Sequence, residues 1–256
     1  MIDPKEIQAL RCYEGDVQNT SDPFWGDGKM YVTWNAILFD GMTTEAARCA
    51  EGRRLNPAFL VDDERFLSLT RHLLSALHRM PKDGVRHAYR VERLADYAVM
   101  KASGILPSFI STSTGGFLDS YTDKKQLVLM EFDIMPETLW GELGVLLPAY
   151  AKAEEAEILI APYQSITMQE EPLPAQYRNI HDACGESPAV YCKVRTGTYR
   201  AQLSAAEADT SIEANKRVYE ALNAHLVPEE DDVRSYLAYK AKMHNRIYRM
   251  MEEYSR

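Results

Sequence analysis

The sequence has few cysteines and no long apolar run. Its four cysteines form no Cys-x-x-Cys pair and have no histidine at ligand spacing, so no zinc site is predicted: Cys12, Cys49, Cys184 and Cys192. Cys184 and Cys192 could bridge if they flank a hairpin, although we favour free thiols in a reducing compartment. The apolar stretch at 144–151 is far shorter than the roughly 18 residues of a membrane span. The sequence therefore predicts no membrane-spanning segment and no membrane partner.

The sequence has fewer basic than acidic residues. The 256 residues include 29 Lys and Arg against 38 Asp and Glu, a formal net charge of −9. This balance argues against binding nucleic acid by bulk charge, although a local basic groove stays open. The first residues, Met-Ile-Asp-Pro-Lys-Glu, lack a basic start and an apolar stretch, so we expect no signal peptide. We expect a cytoplasmic protein, with export by a dedicated machine as the alternative.

Common nucleotide and nucleophile motifs are absent. There is no GxGxxG and no GxxxxGK[ST], so neither Rossmann nor P-loop binding is supported. There is no GxSxG, and spacing places none of the six histidines as the base of a serine nucleophile. The sequence has enough apolar residues to form a buried core, since 46% of its residues are hydrophobic and 10% are aromatic. That composition excludes disorder over the whole chain.

Apolar residues first recur at helical spacing after residue 60. One stripe recurs every three or four residues: Phe66, Leu69, Leu73 and Leu77. The stripe predicts a helix that begins after Asp62 or Asp63 and ends before Pro81. Residues 1–60 are expected to form a mixed extension, irregular over the first forty residues, with a short helix ending near Leu55.

A period of two replaces the helical period after Pro81. Six segments of strand-forming residues alternate with loops marked by Gly and Pro: Val85–Val91, Phe109–Ser113, Leu127–Ile134, Glu157–Ala161, Ser165–Met168 and Val190–Val194. A short helix is predicted near Arg93–Ala102. The helices and strands predicted over residues 61–200 are assigned to one core. Residues 201–256 are expected to form a helical segment packed on that core, with a partner-binding helix as the alternative.

Three features of this β-rich part bear reactive side chains in a fixed order. Arg90 lies in the first strand, Ser111–Gly116 ends the second, and Glu154–Glu157 leads into the aliphatic segment 158–161. Each alone is commonly structural: a surface charge, a turn or a solvated loop. Together they suit a phosphate-bearing substrate whose reacting centre becomes positive, because Arg binds phosphate through two parallel contacts and carboxylates stabilise a cation.

The acidic feature offers a pair of carboxylates. Glu155 and Glu157 are two residues apart where a strand begins, so we expect both side chains on one face. Two like charges on one face raise the pKa of one of them, which an active site can use and a structural strand cannot. Glu154 adds a third carboxylate, and we assign the pair to Glu155 and Glu157 because Glu157 adjoins the aliphatic strand.

The order Arg, Ser-Thr-Ser, Glu-x-Glu resembles the R-S-E class of mono-ADP-ribosyltransferases, which includes arginine-specific enzymes and many bacterial toxins and effectors. The resemblance spans about residues 60–170, with Phe109–Ser113 similar to the second motif of the class and 155–162 similar to the third. Val91 stands where many members have Gly. The resemblance implies an α+β fold of two packed antiparallel sheets with NAD in the cleft between them.

The resemblance also implies a role for each site residue. Glu157 would be the catalytic carboxylate, held in place by Ser111. Glu155 would position or deprotonate the acceptor, with Tyr150 as its aromatic neighbour in the preceding loop. The residues implied to contact NAD are Arg90, which would meet the phosphates, Val91, Ser111, Thr112, Ser113 and Phe117, which would cover the nicotinamide.

The implied activity is cleavage of the nicotinamide–ribose bond of NAD and transfer of ADP-ribose to a macromolecular acceptor. Glu-x-Glu is associated in the class with arginine, so protein arginine is the leading acceptor, with nucleic acid as an alternative. A neutralising or delivery partner is also implied for a toxin. Two other functions stay open: an NAD glycohydrolase without an acceptor, and a non-catalytic NAD-binding or interaction protein with a degenerate site.

Overall fold

The computed structural model describes residues 2–14, 64–116, 127–146, 156–178 and 190–199, with the single residues 31, 148, 217, 229 and 231. The helices in these stretches are α1 (Pro4–Glu14), α2 (Glu64–His78), α3 (Leu94–Ser103) and α4 (Leu143–Leu146), with a 3-10 helix at Ala175–Tyr177. The strands are β1 (Arg86–Arg93), β2 (Ile110–Ser113), β3 (Leu127–Ile134), β4 (Trp140–Glu142), β5 (Glu157–Ile160), β6 (Gln164–Glu171) and β7 (Val190–Tyr199). None of these helices has the length and apolar character needed to cross a membrane.

Most of the predicted elements within the described stretches are confirmed. Helices α2 and α3 and six strands form where the residue periods predicted them, with ends shifted by a few residues. Strand β4 was missed because three residues are too few to show a period. The predicted short helix ending near Leu55 and the predicted C-terminal helical segment lie outside the described residues, so the domain boundaries stay predictions.

Helix α1 corrects the expectation of an irregular beginning. The Asp3 carboxylate accepts a hydrogen bond from the Lys5 amide at 2.8 Å, and the Glu6 carboxylate accepts one from the Asp3 amide at 2.8 Å. These two contacts form a capping box, and Pro4 occupies the first helical position, where a missing N–H costs nothing. The sequence Asp-Pro-Lys-Glu carried this signal.

The strands of the described stretches form one hydrogen-bonded sheet in the order β4-β5-β2-β1-β3-β7-β6. We expected two antiparallel sheets. The structure instead joins these strands into one sheet, in which β3 and β7 pair in parallel. The two long strands β1 and β3 pair along eight positions, whereas β1 and β2 share the single pair Tyr89 and Ser113. This single pair is a seam between a β4-β5-β2 part and a β1-β3-β7-β6 part.

A large apolar core covers one face of the sheet. It includes alternate residues of β3, and α1 and α2 contribute to it: Ala9, Leu10, Leu73, Leu77, Val128, Met130, Phe132 and Ile134 are 0% exposed. Strand β4 approaches α2 closely at Gly141, where a Cβ atom would lie 2.9 Å from Leu77 Cδ2. The core therefore fixes the strands that carry the candidate site.

A buried carboxylate fastens α1 to α2. Glu6 is 2% exposed and accepts hydrogen bonds from Ser75 Oγ at 2.5 Å and from Arg79 Nε at 2.8 Å. Burial alone would raise the pKa of Glu6, but these hydrogen bonds, with that from the Asp3 amide, together lower it below 4.5. The ionised form is therefore the one that stabilises the fold.

We expect Glu6→Gln to lower the free energy of unfolding at pH 7 by about 2 kcal/mol, since charged hydrogen bonds are replaced by neutral ones. Because the folded pKa of Glu6 lies below 4.5, wild type keeps this advantage above pH 4.5 and loses it as the pH falls through the folded pKa. Denaturant unfolding at several pH values measures the difference. The exposed Glu137→Gln serves as the matched control and should show neither effect; a constant difference for Glu6→Gln down to pH 3 would contradict the account.

Candidate active site

The Ser-Thr-Ser motif places its three side chains on alternate faces of β2. Thr112 is 3% exposed, and its hydroxyl donates to the Ile158 carbonyl of β5 at 3.0 Å. Ser111 and Ser113 point to the other face, because successive side chains of a strand alternate. Thr112 therefore fastens β2 to β5, and the two serines are the members of the motif on the face that Glu157 shares.

Glu157 begins β5 directly across from Ser113. Ser111 lies opposite Leu159, so it is the diagonal neighbour of Glu157 on the same face. Diagonal neighbours in antiparallel strands are about 7–8 Å apart at Cα, a distance that a glutamate side chain can bridge. The register thus places two serine hydroxyls within reach of one partly exposed carboxylate.

The Ser113 hydroxyl also shapes the turn after β2. Its Oγ accepts a hydrogen bond from the Gly115 amide at 3.1 Å. A serine hydroxyl has one proton to donate and two lone pairs, and this contact uses one of the lone pairs. Sequence reasoning gave the carboxylate-holding role to Ser111 alone, whereas the register makes Ser113 the direct neighbour of Glu157.

The residue between the two motif glutamates has an unusual backbone. Ala156 has φ 39°, in the left-handed region that non-glycine residues rarely adopt. Both the amide and the hydroxyl of Thr114 donate to the Ala156 carbonyl at 3.2 Å, and they hold this conformation in place. Side chains alternate between the two faces of a strand only where the backbone is extended. Because Ala156 is not extended, alternation does not place Glu155 on the face of Glu157.

Arg90 reaches across the seam between β1 and β2. Its Nη1 donates to the Ser111 carbonyl at 2.7 Å, and its Nε donates to Glu92 Oε2 at 2.6 Å. The Arg90 side chain is 26% exposed and that of Glu92 is 8% exposed. The structure therefore brings the Arg90 guanidinium to the backbone of Ser111, whereas the Ser111 and Ser113 side chains share the face of Tyr89, from which Arg90 alternates. Sequence reasoning missed Glu92, although its place two residues after Arg90 on the same strand face was a readable signal.

Tyr89 connects the site to a second, smaller cluster. It lies directly opposite Ser113, and its ring meets that of Tyr177 edge-on at 6.5 Å between centroids. Burial and the hydrogen bond with Tyr177 raise the pKa of Tyr89 above 10, so its hydroxyl stays protonated at neutral pH. Val91 is 3% exposed and packs beside Leu129 in this cluster, so its side chain belongs to the packing rather than to the seam.

Three of the predicted site residues lie outside the described stretches: Phe117, Tyr150 and Glu155. Their placement relative to Glu157 stays a prediction. The described part of the site consists of one guanidinium, two serine hydroxyls and one carboxylate on three adjacent strands. A guanidinium can bind an anionic diphosphate, and a carboxylate can stabilise a developing positive charge.

The chain resembles several solved structures of bacterial ADP-ribosyltransferases. An ADP-ribosylating toxin of C. perfringens, BECa, solved with NADH, is 15% identical with a TM-score of 0.48 over 76% of this chain, which spans only 44% of that toxin. The catalytic domain of VahC from Aeromonas hydrophila is 16% identical with a TM-score of 0.47 over 77% of this chain and 100% of that domain.

The ATR domain of SpvB from Salmonella is 17% identical with a TM-score of 0.44, over 75% of this chain and 99% of that domain. No protein-family model and no curated protein sequence matches the chain. At these low identities the function has to be argued from the residues of the site.

Proposed function

We propose that the chain is an NAD-dependent mono-ADP-ribosyltransferase. The observation that carries the proposal is the shared placement of Ser111, Ser113 and Glu157 on one face of β2 and β5, with the Arg90 guanidinium 2.7 Å from the Ser111 carbonyl. A binding cleft for NAD needs both an anion contact for the diphosphate and a carboxylate for the ribose. Arg90 of β1 and Glu157 of β5 would supply them from the two strands that flank β2.

Glu157 would stabilise the charge that forms during bond cleavage. When the bond between ribose C1′ and the nicotinamide nitrogen breaks, the electron pair leaves with nicotinamide, and the ribose becomes an oxocarbenium-like cation. Nicotinamide is cationic in NAD and departs as a neutral molecule. A carboxylate fixed beside C1′ favours this transition state because its negative charge is already in place before the reaction.

The two serines would hold that carboxylate. A hydroxyl that donates to a carboxylate restricts its rotation and keeps it ionised. Ser113 lies directly opposite Glu157 and Ser111 lies diagonal to it, and this register supports the role for both. Arg90 would contact the diphosphate, because a planar guanidinium matches the oxygen geometry of phosphate better than an ammonium group does.

The second half of the reaction joins ADP-ribose to an acceptor. A nucleophilic atom of the acceptor bonds to C1′ and loses a proton, and we assign the binding or deprotonation of the acceptor to Glu155, with Tyr150 beside it. Protein arginine is the acceptor that we favour. Water in place of the acceptor gives hydrolysis of NAD, so exclusion of water from the cleft decides between the two products.

We expect Glu155→Gln to suppress ADP-ribose transfer while sparing much of the nicotinamide release from NAD. The reason is that Glu155 is assigned to the acceptor and Glu157 to the bond that breaks. The transfer defect should reach about 10²-fold, the usual contribution of a proton-transfer group. Glu154→Gln is the matched control and should leave both rates within a few-fold of wild type. Equal loss of transfer and release in Glu155→Gln would overturn the separate roles.

The general proposal is tested by incubating the protein with NAD labelled on the adenylate part and a mixed lysate. Label on protein that hydroxylamine removes under arginine-specific conditions would support the transferase with an arginine acceptor. Label on nucleic acid would change the acceptor class. Free labelled ADP-ribose alone would make the protein a glycohydrolase, and intact NAD would contradict the proposal.

A further inference from the structure

The catalytic motifs do not include Glu92, yet it is a direct partner of Arg90. Residues 88, 90 and 92 share one face of β1, and the positions paired with Arg90 and Glu92 on β3 are Met130 and Val128. Both of these are 0% exposed members of the main core. Glu92 is therefore a nearly buried carboxylate beside apolar side chains, a place where a charge needs a partner of opposite sign.

Arg90 is held at two positions of its guanidinium group. Glu92 accepts from Nε at 2.6 Å on the same strand, and the Ser111 carbonyl accepts from Nη1 at 2.7 Å across the seam. A guanidinium is planar and rigid, so contacts at Nε and Nη1 together fix both its position and its plane. A lysine ammonium could not meet both acceptors with the same fixed geometry.

We propose that Glu92 is a positioning residue, which holds the Arg90 guanidinium in the seam as a preformed contact for the diphosphate of the substrate. This inference rests on the proposed function, since it concerns the same site. A long side chain ordered before binding loses less conformational freedom when the ligand arrives, so the free ligand binds more tightly. Glu92 acts on the ligand through Arg90 and touches no reacting atom.

Glu92 could instead compete with the phosphate for Arg90, and removal of Glu92 would then change the affinity for anions in the opposite direction. A carboxylate next to the guanidinium repels a phosphate and competes with it for the same donors. If competition were its main effect, removal of Glu92 would tighten anion binding. If positioning is its main effect, removal weakens binding, because Arg90 then loses the Nε contact that fixes the plane of its guanidinium, and more of its ordering has to come with the ligand.

The test measures binding of ADP by calorimetry to the full chain, with ADP as a diphosphate probe that cannot lose nicotinamide. We expect Glu92→Ala to weaken ADP binding about 3- to 10-fold. Glu92→Gln keeps an oxygen acceptor for Nε and should restore affinity to within about twofold of wild type. Glu92→Leu fills the same apolar surroundings without a carboxylate and should bind ADP as weakly as Glu92→Ala does. It replaces Glu92→Ala in the test if the alanine variant does not fold.

Two further results decide the inference. In an Arg90→Ala background, Glu92→Leu should change ADP affinity less than twofold, because a residue that acts through Arg90 has nothing left to position. Tighter or unchanged ADP binding in Glu92→Ala and Glu92→Leu would overturn the positioning role, and so would a wild type that binds no ADP. Nicotinamide release by wild type is scored separately, so a failure of the proposed reaction is distinguishable from a failure of this inference.

Discussion

Glu157→Gln should lower the rate of nicotinamide release from NAD by about 10²- to 10⁴-fold. The substitution keeps the shape and the hydrogen-bonding reach of the side chain but removes the charge that faces the developing cation. Glu157 begins β5 beside Ser113, so the backbone that positions it is unaffected by the exchange. Release of nicotinamide is followed by chromatography at saturating NAD.

The matched control for this prediction is Glu137→Gln, which makes the same chemical change at an exposed position of the loop between β3 and β4. It should release nicotinamide at the wild-type rate. Equal activity of Glu157→Gln and wild type would remove Glu157 from the reaction. A loss of activity that accompanies a loss of folded protein would be separated from catalysis by the melting temperature of each variant.

Arg90→Ala should lower the free energy of unfolding by about 3 kcal/mol, because it removes the guanidinium from an ion pair whose carboxylate is nearly buried. The Glu92 side chain is 8% exposed, whereas that of Glu170, which pairs with Lys101, is 48% exposed. Lys101→Ala is therefore the matched control and should cost less than about 1 kcal/mol. Denaturant unfolding at pH 7 gives both values.

The same prediction has a second part. Glu92→Leu added to Arg90→Ala removes the remaining charge of this ion pair and fills its place with an apolar side chain, so the double variant should be more stable than Arg90→Ala alone. A double variant that is less stable than the single one would mean that the cost of Arg90→Ala has another origin. Neither variant should bind ADP as wild type does, since both lack the guanidinium.

The spacing of apolar residues predicted the strands and helices well, because a regular spacing marks one apolar face of an element. The stripe of Leu69, Leu73 and Leu77 became the buried face of α2. Helix α1 was missed because its mark is a capping box, which concerns hydrogen bonds at one end and not a period. The seam at Tyr89 and Ser113 and the parallel pairing of β3 with β7 depend on contacts between distant segments, which no local pattern encodes.

The candidate site was predictable as a set of residues and less so as a geometry. Alternation in β2 correctly separates Ser111 and Ser113 from Thr112, but only the register with β5 shows that Ser113 faces Glu157 directly. Glu155 was expected on the same face as Glu157 because the backbone between them was taken as extended. The φ of 39° at Ala156 interrupts that extended backbone. The spacing of Glu92 from Arg90 could be read from the sequence, but the near burial that makes the pair important is a property of the folded chain.

The most direct measurement is a crystal structure of the protein with an NAD analogue in which a methylene group replaces the ring oxygen of the nicotinamide ribose, so that no oxocarbenium ion can form and the bond to nicotinamide stays intact. The account predicts the diphosphate against the Arg90 guanidinium and the nicotinamide ribose within hydrogen-bond distance of Glu157, beside the hydroxyls of Ser111 and Ser113. An analogue bound on another surface, with these four side chains away from it, would contradict the account.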